Sequence, residues 1–185
     1  ITERRADYSR FKPILELIKK DKSLDYCLIV TGIHLLKEHG YTIDEIINDG
    51  FKIHGTYEMF RGDFDSGASM VKSLGNILIG VTGFLEKFKP DIILSGFDIA
   101  ANFAVTVAGA HMNIPVAHIQ GGEVTGSIDE SIRHAMSKFS HIHFPATQDA
   151  KDRLVRLGEN PEDIYVVGCP SIDVLVNTPT LLERL

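Results

Sequence analysis

A change of periodicity across two adjacent glycines, in the stretch 116–139, constrains the fold of this chain more than any other feature. The short apolar run at 115–119 is typical of a buried parallel strand. The run ends just before Gly121 and Gly122, where the chain can turn sharply and a ligand can approach bare backbone. Apolar residues at helical spacing follow. The stretch therefore predicts a strand, a glycine loop and a helix in succession.

The start of this helix carries a capping signature. Ser127 and Glu130 are three residues apart, so the Ser127 hydroxyl can accept from the Glu130 amide while Glu130 reaches back to Ser127. The residues expected on the buried side of the helix are Ile128, Ile132, Ala135, Met136 and Phe139.

Polar side chains are dense around the glycine loop. Asp129 and Arg133 are four residues apart and share one helix face. In open α/β sheets, ligands bind at the carboxyl ends of the strands. We therefore expect a binding site at this rim, although capping and surface pairing also explain such residues. The residues expected to meet there are Gln120, Glu123, Asp129, Arg133 and His134.

Length and composition limit the possible functions. The chain has 185 residues, which suits one domain with a substantial core. Its net charge is -6 and no basic patch is present, which argues against nucleic acid as a partner. We find no membrane-spanning run and no signal peptide, so the cytoplasm is the simplest expectation. Cys27 and Cys169 lie in apolar contexts and are expected to be buried thiols, without a disulfide or a metal.

Strand and helix patterns alternate along the chain, which predicts a Rossmann-like three-layer α/β/α domain with a mostly parallel sheet. The predicted strands cover residues 25–30, 51–54, 91–95, 115–119, 141–144 and 164–167. The predicted helices cover residues 10–20, 35–39, 43–48, 69–88, 99–110, 128–139, 147–157 and 171–176. Pro13 is expected in the first turn of the first helix.

Further candidate residues follow other predicted strands. Asp98 comes directly after a strand and is interpreted as a catalytic acid or base, a sugar ligand or a helix cap. On its own, His34 is more typical of a structural histidine, and His118 of a core histidine. The sequence contains no G-x-G-x-x-G, P-loop, metal-ligand or G-x-S-x-G pattern. A carboxylate-rich site with arginines and helix N-termini suits a sugar joined to a diphosphate.

Several motifs together resemble the UDP-N-acetylglucosamine 2-epimerase family, and most closely its hydrolysing branch. That branch makes N-acetylmannosamine or a related sugar for biosynthesis of the sialic-acid or legionaminic-acid type. The motifs occur in the family's order across nearly the whole chain. They are Arg5-Ala-Asp-Tyr8, Gly32-Ile-His34, the run from His118 to Gly126, the run from Ile128 to His134, and Gly168-Cys-Pro-Ser171.

The resemblance implies one half of a two-domain fold of the GT-B type, with the site in the cleft between the domains. Residues 1–177 would form the N-terminal domain without its first strand, and residues 178–185 a linker towards a second domain. The isolated chain is then not expected to turn over substrate. No cofactor and no metal are implied. We expect a nucleotide-sugar substrate and a homo-oligomer, either a dimer or a tetramer.

The family's reaction begins with loss of UDP from C1 and of the proton from C2, which gives a glycal to which water adds. The resemblance assigns catalytic roles to Asp98, Asp129 and Arg133, and leaves the base to either Glu123 or Asp129. It assigns substrate binding to the set Arg5, Ser9, His34, Gln120, Gly121 and Gly122.

Three departures from the family pattern keep other functions open, and one of them is that Glu3-Arg4 precedes the Arg5 motif where small residues are usual. Gln120 stands where many relatives carry a glutamate and cannot act as a base, and Ile99 stands where an arginine is usual. A UDP- or GDP-linked diacetamido sugar is one alternative substrate. A non-hydrolysing epimerase and a non-catalytic nucleotide-sugar-binding or regulatory protein are the alternative functions.

Overall fold

The computed structural model describes residues 1–62 and 66–177, and in them short parallel strands alternate with helices. The α-helices are α1 (Arg5–Lys20), α2 (Ile43–Asn48), α3 (Gly67–Phe88), α4 (Ala100–His111), α5 (Ile128–Phe139), α6 (Gln148–Arg156) and α7 (Pro170–Asn177). The strands are β1 (Ile29–Thr31), β2 (Gly55–Tyr57), β3 (Ile93–Gly96), β4 (Val116–Ile119) and β5 (Ile142–Phe144). Within the described residues, 3₁₀-helices cover Gly32–Leu35, Lys37–His39 and Pro161–Asp163.

All the strand pairs in the described residues are parallel, so the predicted α/β class is confirmed. The strands form two sheets, one with the order β1-β2 and one with the order β3-β4-β5. In the second sheet Ile93 pairs with Val116, and Ala117 pairs with Ile142. This register places the ends of β3 and β4 side by side, and with them the residues that follow each strand.

A groove of about 590 Å³ lies beside the two sheets. Its walls include Ile29 of β1, Ile93 of β3 and apolar side chains of α1 and α3. Thr2 pairs in parallel with Val30, so the chain runs alongside β1 at this point. The absence of a first strand, which the family resemblance implies, remains a prediction.

Two apolar clusters pack around the strands. One joins α1 and α2 to β1 and includes Phe11, Ile46 and Val30. The other joins α3 and α4 to β3 and β4 and includes Ile77 and Val116. Alternate strand residues face different clusters, as expected for strands covered on both faces.

Several predicted element boundaries are wrong. Helix α1 begins at Arg5 because the Asp7 carboxylate accepts from the Arg4 amide at 2.8 Å and closes its first turn. Pro13 consequently lies inside the helix and not in its first turn. Residues 35–39 contain 3₁₀ turns instead of an α-helix. The predicted strand 51–54 lies instead at 55–57, and 164–167 contributes only a single bridge, from Ile164 to His143.

Helix α3 is long and apolar enough to cross a membrane by length and composition alone, so the expectation of no such run is wrong on that criterion. Core helices of soluble proteins pass the same test, and one such helix is weak support for a membrane span. Only 22% of its most apolar stretch is buried. Cys27 is exposed and Cys169 is partly exposed, which corrects the expectation of buried thiols.

Candidate active site

An ion pair between a buried arginine and a partly buried aspartate joins two of the predicted site residues. The Arg133 guanidinium on α5 donates to the Asp98 carboxylate, which follows β3. Arg133 is only 4% exposed, and its other terminal nitrogen donates to the Glu123 carbonyl at 2.9 Å. Burying a charge is costly unless it is paired and hydrogen-bonded, so these contacts fix the guanidinium in place. The ends of β3 and β4 are thereby joined through α5.

The turn before Asp98 has an unusual backbone. Phe97 has a φ of 69°, is buried, and donates its amide to the Ile119 carbonyl at 3.3 Å. The Arg10 guanidinium of α1 lies 4.7 Å from the centre of the Phe97 ring. Such a cation–π contact places a positive charge beside the turn. Arg10 was not predicted as a site residue, although it lies on the same helix as the Arg5 motif.

Gln120, which follows β4, is buried and only partly hydrogen-bonded. Its φ is 56°, and its side-chain nitrogen lies 3.2 Å from the Cys169 sulfur. Its side-chain oxygen has no partner within the part of the chain that the structure describes. A buried acceptor without a donor costs about 1–3 kcal/mol. Gln120 therefore brings the motif at 168–171 to this rim at an energetic cost.

The two glycines are explained by packing. Both are buried. A Cβ on Gly121 would lie 2.9 Å from His118 and 3.0 Å from the Ser137 hydroxyl, and one on Gly122 would overlap the Ala150 carbonyl. Packing therefore accounts for both glycines, and their expected role in letting a ligand approach bare backbone is untested. The assignment of Gly121 and Gly122 to substrate binding remains a prediction.

The first turn of α5 is capped differently from the prediction. The Ser127 hydroxyl accepts from the Asp129 amide at 3.2 Å, and not from that of Glu130. The Glu130 carboxylate accepts from the amides of Thr125 and Gly126, both at 2.9 Å, and these bonds lower its pKa. The predicted capping box is therefore wrong, because Glu130 reaches further back than Ser127.

Asp129 and Glu123 lie near the ion pair without joining it through their carboxylates. Asp129 is exposed and accepts from the Ser127 hydroxyl at 3.1 Å. Glu123 is partly exposed and contacts Arg133 through its backbone carbonyl. Among the predicted inward residues, Met136 is fully buried whereas Ile128 is 70% exposed, so Ile128 is a wrong assignment. The buried face of α5 includes Arg133 in its place.

The predicted binding residues near the amino terminus have partners within the chain. Arg5 forms an exposed ion pair with Glu45 at 3.0 Å, and the Ser9 hydroxyl donates to the Ala6 carbonyl at 3.0 Å. His34 is fully buried between the hydroxyls of Thr2 at 3.0 Å and Thr42 at 2.7 Å. The structure does not join these three residues to the Asp98–Arg133 pair by any described contact. Their roles in substrate binding remain predictions.

His118 is confirmed as a buried core histidine with partners. One ring nitrogen lies 3.1 Å from the Ser137 hydroxyl, and the other lies 3.5 Å from the Phe97 carbonyl. Burial, with smaller contributions from the nearby His143 and Arg133, lowers the pKa of His118 to about 3. His118 is therefore neutral at pH 7 and supports the turn at Phe97 from within the core.

A buried carboxylate lies beside the Asp98 turn and was missed in the sequence. Glu3 accepts from the Ala101 amide at 2.9 Å, at the start of α4. Burial raises the pKa of Glu3. The Ala101 amide at the start of α4 is thus already bonded to a carboxylate of the chain, which makes this helix start less suited to a phosphate. Nothing in the local sequence pattern connects residues this far apart. The described residues contain no group of three His, Cys, Asp or Glu side chains able to hold a metal ion.

Comparisons with known proteins agree on one family. The family model described as UDP-N-acetylglucosamine 2-epimerase matches residues 16–185. A UDP-N,N'-diacetylbacillosamine 2-epimerase (hydrolyzing) from Legionella pneumophila is 39% identical over 97% of this chain and 48% of its own length. A UDP-N-acetylglucosamine 2-epimerase from Neisseria meningitidis is 36% identical over 99% of this chain and 48% of its own.

A solved structure shows the same fold. The UDP-GlcNAc 2-epimerase from Neisseria meningitidis bound to UDP-GlcNAc superposes with a TM-score of 0.81 and 25% identity, over 94% of this chain and 46% of that one. The architecture is thus that of one half of a GT-B-type protein. The chain spans about half the length of the relatives it matches. By the family model and by these identities, the chain belongs to the UDP-N-acetylglucosamine 2-epimerase family.

Proposed function

We propose that the protein containing this chain is a hydrolysing nucleotide-sugar 2-epimerase. It converts UDP-N-acetylglucosamine, or a related UDP- or GDP-linked diacetamido sugar, into the free nucleotide and the C2-inverted sugar. For UDP-N-acetylglucosamine the products are UDP and N-acetylmannosamine. The observation that carries the proposal is the Asp98–Arg133 pair, which joins the residue after β3 to the helix that follows β4. The Legionella relative, whose name specifies hydrolysis, supports this branch.

The proposed reaction has two steps. In the first, the C1–O bond to the nucleotide breaks and the C2 proton moves to a carboxylate, which leaves a glycal. In the second, water adds across the double bond, with hydroxyl at C1 and a proton delivered to C2 on the opposite face. One water is consumed, and the nucleotide and the inverted sugar are released. The steps need a base near C2 and positive charge or donors near the leaving diphosphate.

The described residues can take these roles. Asp98 holds a carboxylate at the end of β3, oriented by Arg133, and is our candidate for proton transfer. Arg10, held against Phe97 beside the same turn, supplies positive charge for the diphosphate together with Arg5. The start of α4 is a poor phosphate site, because the Glu3 carboxylate already lies there.

The second carboxylate is either Glu123 or Asp129. Gln120 stands at the rim but is an amide, so it can hold substrate and cannot accept a proton as a base. Its unpartnered oxygen suits an N–H donor, such as that of an acetamido group. Asp129 is exposed at the start of α5 and has room to meet a ligand, and Glu123 is partly exposed. The variants Glu123→Gln and Asp129→Asn, made separately, distinguish the two carboxylates by their effect on exchange of the C2 proton.

A non-catalytic nucleotide-sugar-binding protein is the second candidate, and Gln120 is the observation that favours it. An enzyme exchanges the C2 proton of the sugar with solvent, whereas a binding protein does not. A non-hydrolysing epimerase also exchanges this proton but keeps the nucleotide on its product. These three functions therefore differ in two measurable properties, which are exchange at C2 and release of the nucleotide.

The deciding experiment follows the full-length protein by NMR in heavy water, with UDP-N-acetylglucosamine and then with the diacetamido nucleotide sugars. We expect free nucleotide and an inverted sugar deuterated at C2. Exchange with the nucleotide retained would establish the non-hydrolysing reaction. Binding of every substrate without exchange or release would overturn the enzyme proposal and leave the binding protein. An Asp98→Asn variant serves as the control, since it keeps a hydrogen-bond acceptor but loses the proton-accepting group.

We also propose that residues 1–177 form the N-terminal domain of a two-domain protein. The predicted linker, residues 178–185, lies outside the described residues. One exposed and one partly exposed free cysteine, together with a nucleotide-sugar substrate, are compatible with a reducing cytoplasm. Cleavage between two domains by limited proteolysis of the full-length protein near residue 178 would support the division, and a resistant chain would oppose it.

A homo-oligomer formed through α3 is a further part of the proposal. Val71 and Ile79 are exposed on this helix, and Gly75 and Gly83 between and beyond them have open space around them. Small residues alternating with apolar ones let another helix approach closely. Ile79→Glu should therefore convert the full-length oligomer to monomer in light scattering. An unchanged mass would place the interface elsewhere.

A further inference from the structure

The first turn of α4 lacks a cap of its own. Its N-cap residue, Ile99, has no side-chain acceptor. The orphan amides at a helix start normally find a side-chain acceptor from the N-cap residue. Here the acceptor is the carboxylate of Glu3, which takes the Ala101 amide from a position 98 residues earlier in the chain. Glu3 is 8% exposed, so this is an internal contact.

A second contact ties the other end of the same turn. The Asn102 side-chain oxygen accepts from the Gly96 amide at 3.1 Å, and its nitrogen donates to the Ile1 carbonyl at 3.4 Å. Asn102 is fully buried. The turn 96–99 is therefore held on its strand side by Asn102 and on its helix side by Glu3. Asp98 lies between these two attachments.

Glu3 is itself fixed in position. Its amide donates to the Asp7 carboxylate at 2.8 Å, and its carbonyl accepts from the His34 amide at 3.2 Å. Gly32, with a φ of 62°, packs directly against it, and a Cβ at this position would overlap the Glu3 side chain. Glu3 therefore cannot move away from α4 without disturbing the segment after β1.

The chemistry of the residue argues for more than packing. Burial raises the pKa of Glu3, so an ionised side chain here has an energetic cost, which the hydrogen bond from the Ala101 amide offsets in part. The positive end of a helix is one of the few buried places that favours a carboxylate. The contact between Glu3 and the Ala101 amide joins the N-terminal segment to the turn that carries Asp98, the candidate catalytic carboxylate.

We propose that Glu3 is a positioning residue of the site, which sets the geometry of Asp98 against Arg133 by holding the first turn of α4. The proposal rests on the proposed function, because it assigns Glu3 to the same site. It predicts that removing the carboxylate affects the chemical step through Asp98, and that an amide acceptor of equal length restores it.

The experiment compares Glu3→Ala and Glu3→Gln with a control, Glu16→Ala, in the full-length protein. Glu16 is an exposed acid on α1. The first readout is amide hydrogen exchange at 98–103. The second is the ¹³C titration of the Asp98 carboxyl. The third is the split between kcat and KM with the substrate identified above.

We expect Glu3→Ala to raise exchange at 98–103 at least tenfold, to shift the Asp98 titration, and to lower kcat about 10- to 100-fold with KM within about threefold. Glu3→Gln should recover most of each effect, and Glu16→Ala should change none. Faster exchange with an unchanged Asp98 titration and unchanged kcat would reduce Glu3 to a structural cap and overturn the proposal. A Glu3→Gln variant that behaves like Glu3→Ala would overturn it as well.

The proposed function and the role of Glu3 fail in different ways. If the wild-type protein turns over no nucleotide sugar, the proposed function fails. Exchange at 98–103 and the Asp98 titration then still decide whether Glu3 positions this turn. If Glu3→Ala unfolds, seen as faster exchange throughout the chain, Glu3→Gln is compared with the wild-type protein by the same three measurements.

Discussion

Two polar clusters lie at the carboxyl ends of the strands, and they differ in how fully they are satisfied. Behind β1, the side chains of Thr2, Asp7, His34 and Thr42 hydrogen-bond to one another inside the protein. Between β3 and β4, the Asp98–Arg133 pair lies at the same rim as Gln120, whose side-chain oxygen has no described partner. The first cluster is complete without a ligand, whereas the second retains unused hydrogen-bonding capacity.

The difference separates polar residues that build the fold from those available to a substrate. A buried polar group is tolerated when it is paired, and an unpaired one requires an explanation, of which a ligand is one. By this criterion Gln120, at the rim that also holds the Asp98–Arg133 pair, is the candidate for a ligand contact. The cluster behind β1 supports the rim by holding the segment that contains Glu3.

The largest expected effect is from breaking the ion pair of the second cluster. Asp98→Ala leaves the guanidinium of Arg133 buried without its charge partner, and should lower the free energy of unfolding by about 3–5 kcal/mol. Urea unfolding of the chain measures this change. Asp129→Ala is the control on the same rim, and should cost less than about 1 kcal/mol because Asp129 is exposed. Equal costs for the two variants would contradict the prediction that the Asp98–Arg133 pair stabilises the fold more than the exposed Asp129 does.

The next effect concerns the glycine loop, which we interpret as packing in the second cluster. Gly122→Ala introduces a Cβ against the Ala150 carbonyl at a φ of 81°. It should lower the free energy of unfolding by more than about 2 kcal/mol. Gly126 is the matched control, since its φ is 70° and it has open space around it. Gly126→Ala should cost only about 1 kcal/mol for the backbone conformation. Equal losses in thermal denaturation would show that packing at Gly122 contributes nothing.

The sequence predicted those parts of the fold that rest on local patterns. Helix α2, strand β4 and helix α5 follow from apolar periodicity and from glycine and proline positions, and the structure confirms them within a residue or so. Residues 164–167 are apolar enough for a strand, but only Ile164 finds a bridging partner. Pairing depends on neighbouring strands, which a local pattern does not contain.

The candidate site was predictable in its residue types and only partly in its contacts. Placing Asp98 and Arg133 at one rim followed from parallel strands and helix spacing. The predicted face shared by Asp129 and Arg133 did not produce a pair, because Arg133 turns inward to Asp98 and Asp129 remains exposed. The contact from Glu3 to α4 spans nearly a hundred residues, so no spacing in the sequence could reveal it.

The two clusters can also be compared through their buried histidines. Burial lowers the pKa of His34 in the first cluster, and that of His118 beside the second to about 3. The unfolded chain therefore binds more protons than the folded one below a pH of about 6.5. Stability should then fall as the pH drops from about 6.5 towards 3, with a slope of up to about 1.4 kcal/mol per pH unit for His118.

Urea unfolding between pH 7 and pH 4 measures this slope. His118→Gln removes the titrating group and should flatten the dependence, while the exposed His111, replaced by Gln, should leave it unchanged. A wild-type slope matched by His118→Gln would mean that His118 takes up its proton without unfolding. That result would contradict the prediction that burial keeps His118 neutral.

The smallest effect on stability is expected at Arg5, which is two residues from Asp7 of the first cluster. Replacing Arg5 tests whether this part of the chain also binds the substrate. Arg5 forms an exposed ion pair with Glu45, so Arg5→Ala should change the free energy of unfolding by less than about 1 kcal/mol. Lys12→Ala is the matched control, because Lys12 on the same helix pairs with Asp49 at 2.7 Å. If Arg5 binds the diphosphate, Arg5→Ala alone should raise KM for the nucleotide sugar at least tenfold in the full-length protein. Equal KM values for the two variants would remove Arg5 from the predicted substrate-binding residues and leave it as a structural partner of Glu45.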